Sequence, residues 1–308
     1  MPDIKKHPII CFGEILWDIL PEQEVPGGAP MNVAFHLNQL GNATALFTRV
    51  GIDDRGKALL KILHEKKVDT GFIQLDYTVP TGIVHANRNQ YGEMTYEIVA
   101  PAAWDHLEFD PDMEDVTKQA PYFVFGSLIN RHKDARETLH QLLEIAPVKV
   151  FDINLRHPFY KKNMLSELLQ KADIVKMNIH EVELVTGWFG KYKTTEDRMQ
   201  FIQDQFKIPV VIVTKGEKGA VVNYRGEWYQ ETGYTVTVQD SIGSGDAFLA
   251  AFLSEIAANK TPDIALRYAG ALGALVASRT GGWPPYNVEE IDSLIHQQIA
   301  ALKKPEKR

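Results

Sequence analysis

Short apolar runs rich in β-branched residues recur along the chain as PIICFG, TALFTRVG, YFVFGS, VKVFDIN, ADIVKMN, VVIVTKG and AVVNY, with amphipathic segments between them. Strands separated by helix-length segments pair in parallel through crossover helices, so this alternation calls for an α/β fold. Several runs carry apolar residues at successive positions, as in Phe123, Val124 and Phe125 or Val210 through Val213. Strands read this way when both faces are covered. The expectation is a three-layer α/β/α core around a central, mostly parallel sheet. Helix punctuation agrees: Ala29 to Leu40 places Val33, Leu37 and Leu40 on one stripe, with Gly41 just beyond the end.

Two stretches break this rhythm. Residues 14–25 and 81–99 alternate polar and apolar without a following helix, and the second contains Gln90-Tyr91-Gly92-Glu93, which reads as a hairpin turn. They are expected to form a small β sheet projecting from the core. Ligands of an α/β sheet bind beyond the carboxyl ends of its strands, so strands inserted there form a lid. At 308 residues the chain buries roughly three quarters of its unfolded surface, which suits a single domain over 1–308 carrying that insertion.

Charge and cysteine usage narrow the partners. With 33 Lys and Arg against 40 Asp and Glu, the net charge of −7 leaves no excess to neutralise a phosphate backbone, and nucleic acid is not expected to bind. Cys11 is the single cysteine, which excludes an intramolecular disulfide and fits a reducing compartment, the cytoplasm. No apolar stretch approaches the ~20 residues that span a bilayer, and the charged residues 1–8 precede no signal-like apolar region, so no membrane association is expected.

Chemistry concentrates in a few segments. In Asp240-Ser-Ile-Gly243-Ser244-Gly245-Asp246-Ala-Phe248 two glycines allow a tight turn, and the helix pattern that follows aims unpaired N–H groups and a positive dipole end at it, an anion site. Asp246 adds a carboxylate where a hydroxyl near a bound phosphate can hand over its proton. An ordinary glycine turn with an acidic first helical turn is the plain alternative. A dinucleotide-binding turn does not fit, because Phe248 stands at the third glycine position of G-x-G-x-x-G. Earlier in the chain, Pro26-Gly27-Gly28-Ala29-Pro30-Met31-Asn32 lets a ligand lie against bare backbone, with Asn32 and Asp18 offering polar contacts to hydroxyls. Asn178-Ile-His-Glu181 can hold Mg²⁺ through water or can be a capping box. Arg156, after Asp152-Ile-Asn154, places one cation at a strand end, and Thr214-Lys-Gly216 either brackets a nucleotide or is a simple hairpin turn.

Together, Gly27 to Ala34 (G-G-A-P-M-N-V-A) and Asp240 to Phe248 (D-S-I-G-S-G-D-A-F) resemble the two signatures of the ribokinase-like carbohydrate kinases, in the right order some 200 residues apart. The resemblance covers nearly the whole chain. It implies a ribokinase-like fold and ATP-dependent transfer of the γ-phosphoryl group to a sugar hydroxyl. By it Asp246 is the catalytic base, and the amides of Gly243, Ser244 and Gly245 form the anion hole. Asp18, Gly28 and Asn32 match positions that bind the sugar, Thr214 and Gly216 the nucleotide, and Glu181 the Mg²⁺–water network; from their strand-end positions Arg156 is expected as a further substrate contact and Asn178 as a nucleotide-side one. Asp240 and Ile242 match positions whose carbonyls hold a monovalent cation, K⁺. Ser244 replaces the family's usual Ala, with its amide expected to remain available.

The Gly-Gly-Ala-Pro wording looks most like fructokinases. Residues 26–32 contain no Lys or Arg and the lid only Arg88, which disfavours sugars already phosphorylated. Fructose is therefore the expected substrate, with 2-keto-3-deoxygluconate or ribose next. A non-catalytic sugar-binding regulator on the same scaffold is the alternative of another class, and a dinucleotide-dependent dehydrogenase a distant third. Lid strands with open edges and Ile83, Ile98 and Val99 on one face suggest a homodimer.

Overall fold

A computed structural model describes residues 8–88 and 94–302, and contacts divide the chain into two units, Met1–Asp173 and Ile174–Arg308. The expected turn at Gln90 to Glu93 lies outside the described residues.

In the first unit the elements run β1 (Ile9–Phe12), β2 (Leu16–Ile19), β3 (Glu24–Gly27), α1 (Ala29–Gln39), β4 (Thr44–Gly51), α2 (Asp54–Glu65), β5 (Ile73–Asp76), β6 (Gly82–Arg88), β7 (Met94–Ile98), α3 (Pro111–Gln119), β8 (Phe123–Gly126), α4 (Lys133–Ile145), β9 (Lys149–Asp152) and α5 (Lys162–Lys171). Strands β9, β8, β1, β4 and β5 lie side by side in that order, every pair parallel. The successive apolar residues of β1 and β8 are all buried, and Phe125 stacks on Phe151 at 4.9 Å between ring centres. Pro30 sits in the first turn of α1, where its missing N–H costs nothing, and Gly41 takes a left-handed φ of 83° just past the end.

A second, four-stranded sheet orders its strands β3, β2, β6, β7. Strands β2 and β6 pair in parallel and the two outer pairs antiparallel, with β6 facing Leu16 from Gly82. Gly82 has a local reason: a Cβ there would stand 2.6 Å from the indole nitrogen of buried Trp104. The chain entering β6 is anchored by Asp53, the N-cap of α2, whose carboxylate accepts from Gly56 N at 2.8 Å, Thr81 N at 2.7 Å and Thr81 Oγ1 at 2.8 Å. Burial alone would raise the Asp53 pKa, but these hydrogen bonds outweigh it and hold the carboxyl below its ordinary value. At the same end of the sheet, Arg131 donates to Val99 O at 3.0 Å while paired with Asp105 at 2.7 Å and lying over the Trp104 ring.

The second unit contains β10 (Ile174–Asn178), α6 (Ile179–Gly187), α7 (Thr195–Phe206), β11 (Val210–Thr214), β12 (Ala220–Tyr224), β13 (Glu227–Glu231), α8 (Ser244–Ala257), α9 (Pro262–Ala277) and α10 (Val288–Leu302). Strands β10 and β11 are parallel, and β12 and β13 continue as antiparallel hairpins. Ten of the 14 residues of α8 are buried, so it is an interior helix, apolar nearly all round. Small residues on α9 let that helix come close: a Cβ on Gly273 would lie 3.2 Å from Ser244 O. The mostly parallel α/β architecture read from the alternating runs is thus present. Among the described residues, no helix is long and apolar enough to cross a membrane.

Candidate active site

In the first unit, the residues singled out around the glycine pair converge. Gly28 caps α1 at φ 118°, and a Cβ on it would fall 2.4 Å from Glu14 O. Only glycine fits so close an approach at that φ. Its neighbour Gly27 leaves room for a side chain. A Cβ there would meet Asp18 Oδ2 at 2.3 Å, so the Asp18 carboxylate of β2 rests directly on the turn. Ala29 N donates to Glu14 Oε1 at 3.3 Å, and Asn32, one turn into α1, is buried. Asp18, Gly28 and Asn32 therefore belong to one structural feature, the β3–α1 turn. Arg156 lies beyond β9 with its side chain exposed and Nη1 donating to Leu155 O at 3.2 Å.

In the second unit, Gly243 caps α8 with φ 73°, left-handed as a tight turn demands, and a Cβ would stand 2.6 Å from Gly282 Cα. Asp240 holds this loop in shape: one carboxylate oxygen accepts from Ile242 N at 3.0 Å and the other from Gly281 N at 3.0 Å. No side chain caps α8, so the turn's own backbone and whatever binds there must satisfy the first-turn amides. Ser244 departs from expectation. Its N–H donates to Ser241 O at 3.3 Å and its hydroxyl to the same oxygen at 2.9 Å, because the chain closes a three-residue turn as it enters the helix. That amide is engaged, which leaves Gly243 and Gly245 of the three. Asp246 follows in the first helical turn, 8% exposed.

One neighbour of this turn escaped the sequence reading. Lys176, on β10 and 6% exposed, brings Nζ within 3.1 Å of where a Cβ on Gly245 would stand. Its signal was a lysine inside the apolar run ADIVKMN, which periodicity alone assigns to the strand. The strand ends in the N-x-x-E segment, and there the cap is real. Asn178 Oδ1 accepts from Glu181 N at 3.0 Å, while Glu181 Oε2 accepts from Asn178 N at 2.8 Å. One Glu181 oxygen is thereby committed to α6. Asn178 also faces Thr214 across the β10–β11 pair, placing both at the carboxyl ends of parallel strands.

Thr214, Gly216, Ser241, Ser244 and Gly245 all line a single cavity of about 570 Å³, closed on another side by Tyr234, Val238 and α9. The α9 wall is made of Gly270, Gly273, Ala274 and Ala277, so it presents a flat, apolar face. Burial, with Glu231 adding to it, pushes the Tyr234 phenol upward, so it stays neutral. A cavity of this size, flat and apolar on one wall with a glycine turn at a helix N-terminus on another, suits an aromatic group attached to an anion.

Comparison with known proteins agrees with this chemistry. The chain is 30% identical over 265 residues to a fructokinase of Escherichia coli, covering 79% of this chain and 82% of that protein. It is 27% identical over 325 residues to a probable fructokinase-3 of Arabidopsis thaliana, covering 96% and 93% of the two chains. The crystal structure of a fructokinase with bound ATP from Xylella fastidiosa superposes with a TM-score of 0.86 at 26% identity, covering 96% of this chain and 99% of the other. The model of the pfkB family carbohydrate kinases matches residues 21–287. With both glycine turns inside that span and the α/β architecture around them, the chain belongs to the pfkB family of carbohydrate kinases.

Proposed function

We propose that this protein is an ATP-dependent fructokinase, transferring the γ-phosphoryl group to a hydroxyl of free fructose. The observation that carries the reading is the turn at the head of α8. There, a left-handed glycine cap with no side-chain cap, the Gly245 backbone and the Lys176 ammonium gather where Asp246 enters the helix. Transfer of a phosphoryl group to an alcohol needs positioning and charge stabilisation more than covalent help. Asp246 acts as the base that receives the hydroxyl proton. The Gly243–Gly245 turn, with Lys176, balances the charge spread over the transferred oxygens.

The cavity beside Thr214 and Gly216 takes ATP, its flat α9 wall against the adenine. Asp18, Gly28 and Asn32 hold the sugar hydroxyls, and Arg156 adds a cationic contact. Glu181 spends one oxygen on capping α6, which fits outer-sphere contact to Mg²⁺ through water better than direct ligation, with Asn178 shaping that end. The bound Mg²⁺ would neutralise charge on the nucleotide phosphates. The Asp240 carboxylate pins its own loop, so a K⁺ ion would be held by the Asp240 and Ile242 carbonyls. Cytoplasmic residence follows from the buried, unpaired Cys11 and the use of ATP.

Fructose is expected to be phosphorylated with kcat/KM at least tenfold above ribose, 2-keto-3-deoxygluconate and adenosine, a gap of about 1.4 kcal/mol in transition-state binding. ADP release measured over this panel decides it: a better substrate among the other three removes fructose, and silence with all four beside tight sugar binding favours a non-catalytic role. The lid sheet leads to a homodimer. Its edge strand β7 carries Tyr96, 55% exposed, and Ile83 and Ile98 are only half-buried. Light scattering at assay concentration should give twice the chain mass, and a monomer would contradict the dimer.

A further inference from the structure

Outside the residues assigned to the kinase reaction, the first unit gathers two imidazoles and a carboxylate on one side of α4. His106 closes a short 3-10 helix (Ala103–His106), His132 caps α4, and Asp134 stands in the first turn of that helix. One nitrogen from each ring and one Asp134 oxygen lie within 4.8 Å of one another. His106 Nδ1 is 2.9 Å from Asp134 Oδ2, His132 Nδ1 is 3.7 Å from the same oxygen, and the two ring centres are 4.5 Å apart.

We propose that His106, His132 and Asp134 form a second metal site, for a borderline transition-metal cation such as Zn²⁺, distinct from the Mg²⁺ that accompanies ATP. Two imidazoles and one carboxylate with a water in the fourth position are an ordinary zinc donor set. Bonds of about 2.0–2.1 Å in a tetrahedron put neighbouring donors about 3.3 Å apart, a value that the 2.9 and 3.7 Å separations bracket. The wider separations close by rotation of side chains that are themselves part-exposed, at 27%, 39% and 45%.

The ligand residues are held by their own elements. His132 Nδ1, the nitrogen that faces Asp134, also lies 3.0 Å from Asp105 O. The His106 turn is held from behind by Arg49, whose Nη1 donates to His106 O at 2.7 Å. The hydrogen bond from His106 keeps the Asp134 carboxyl below its ordinary pKa, so the anionic ligand is present near neutrality. The N-terminal dipole of α4 opposes a cation, and the Asp134 charge offsets it. Through Asp105, which pairs with Arg131, the ion would stiffen the support beneath Val99 at the end of β7.

The test is calorimetric titration of the untagged, chelator-stripped full chain with ZnCl₂. One ion per chain should bind, and either His106→Gln or His132→Gln should weaken it at least tenfold, a larger effect than the few degrees of metal-free melting temperature that loss of the α4 cap or of the His106–Asp134 contact costs. Zn²⁺ should raise the melting temperature of the unaltered protein but not of the double variant. Co²⁺ in its place should give the intense visible bands of a tetrahedral site, lost in the same variants. If His106→Gln fails to fold, Asp134→Asn, at a half-exposed side chain, must show the loss instead. Zn²⁺ binding that is equal in all variants, or the absence of a one-to-one site in the unaltered chain, overturns the proposal.

Discussion

Replacing Asp246 with Asn is expected to lower kcat by on the order of 10²–10⁴ while sugar binding persists, the range usual for loss of a positioned proton acceptor. The amide has the size of the carboxyl it replaces, and α8 is anchored by Phe248, Leu249, Phe252 and Leu253, all buried, so the helix should survive the change. What disappears is the ability to take the proton of the attacking hydroxyl. Steady-state ADP release, paired with calorimetric fructose binding, separates the two effects. A folded Asp246→Asn protein turning over at a near-normal rate would show that proton removal does not pass through this residue.

Gly245→Val should be nearly as damaging, lowering kcat by roughly 10²–10³, the cost of losing one preorganised contact to the developing charge. A Cβ at 245 meets Lys176 Nζ at 3.1 Å, so the first carbon displaces the ammonium and the branch fills the space over the turn. Gly245 is not at a left-handed φ, unlike Gly243, and no backbone atom lies in the way. The substitution should therefore leave the fold intact and act on the phosphate alone, which is why it is more informative than a change at Gly243 or Gly28. Equal far-ultraviolet circular dichroism with unchanged kinetics would mean that no phosphate approaches Gly245. Lys176→Met, tested beside it, should reproduce part of the loss if displacement of the ammonium is the cause.

The two glycine turns could be read directly because their positive φ and the crowding around them select glycine itself. Gly28 and Gly243 adopt φ of 118° and 73°, and a side chain at either position would collide with Glu14 O or Gly282 Cα. A constraint that severe leaves its mark in the residue itself. The capping box at Asn178 and Glu181 was legible for the same reason, though whether its carboxylate served a cap or an ion was open. The cap is formed, and it uses one oxygen of that carboxylate.

The alternation of apolar runs, the covered strands and the order of the signatures were decided by sequence alone, since period and spacing are properties of the chain read one residue after the next. Tertiary structure decided what distant segments do to each other. That Lys176 reaches Gly245 from β10, and that α9 walls the cavity beside Thr214 with Gly270 and Gly273, depend on contacts between elements far apart in the chain. The meeting of His106 with Asp134 is of the same kind: 28 residues separate them, no spacing motif joins them, and only the packing of a 3-10 turn against α4 brings a nitrogen within 2.9 Å of an oxygen. Local rules write themselves into residue identity, whereas a long-range contact constrains only shape and polarity at each end, which many sequences satisfy.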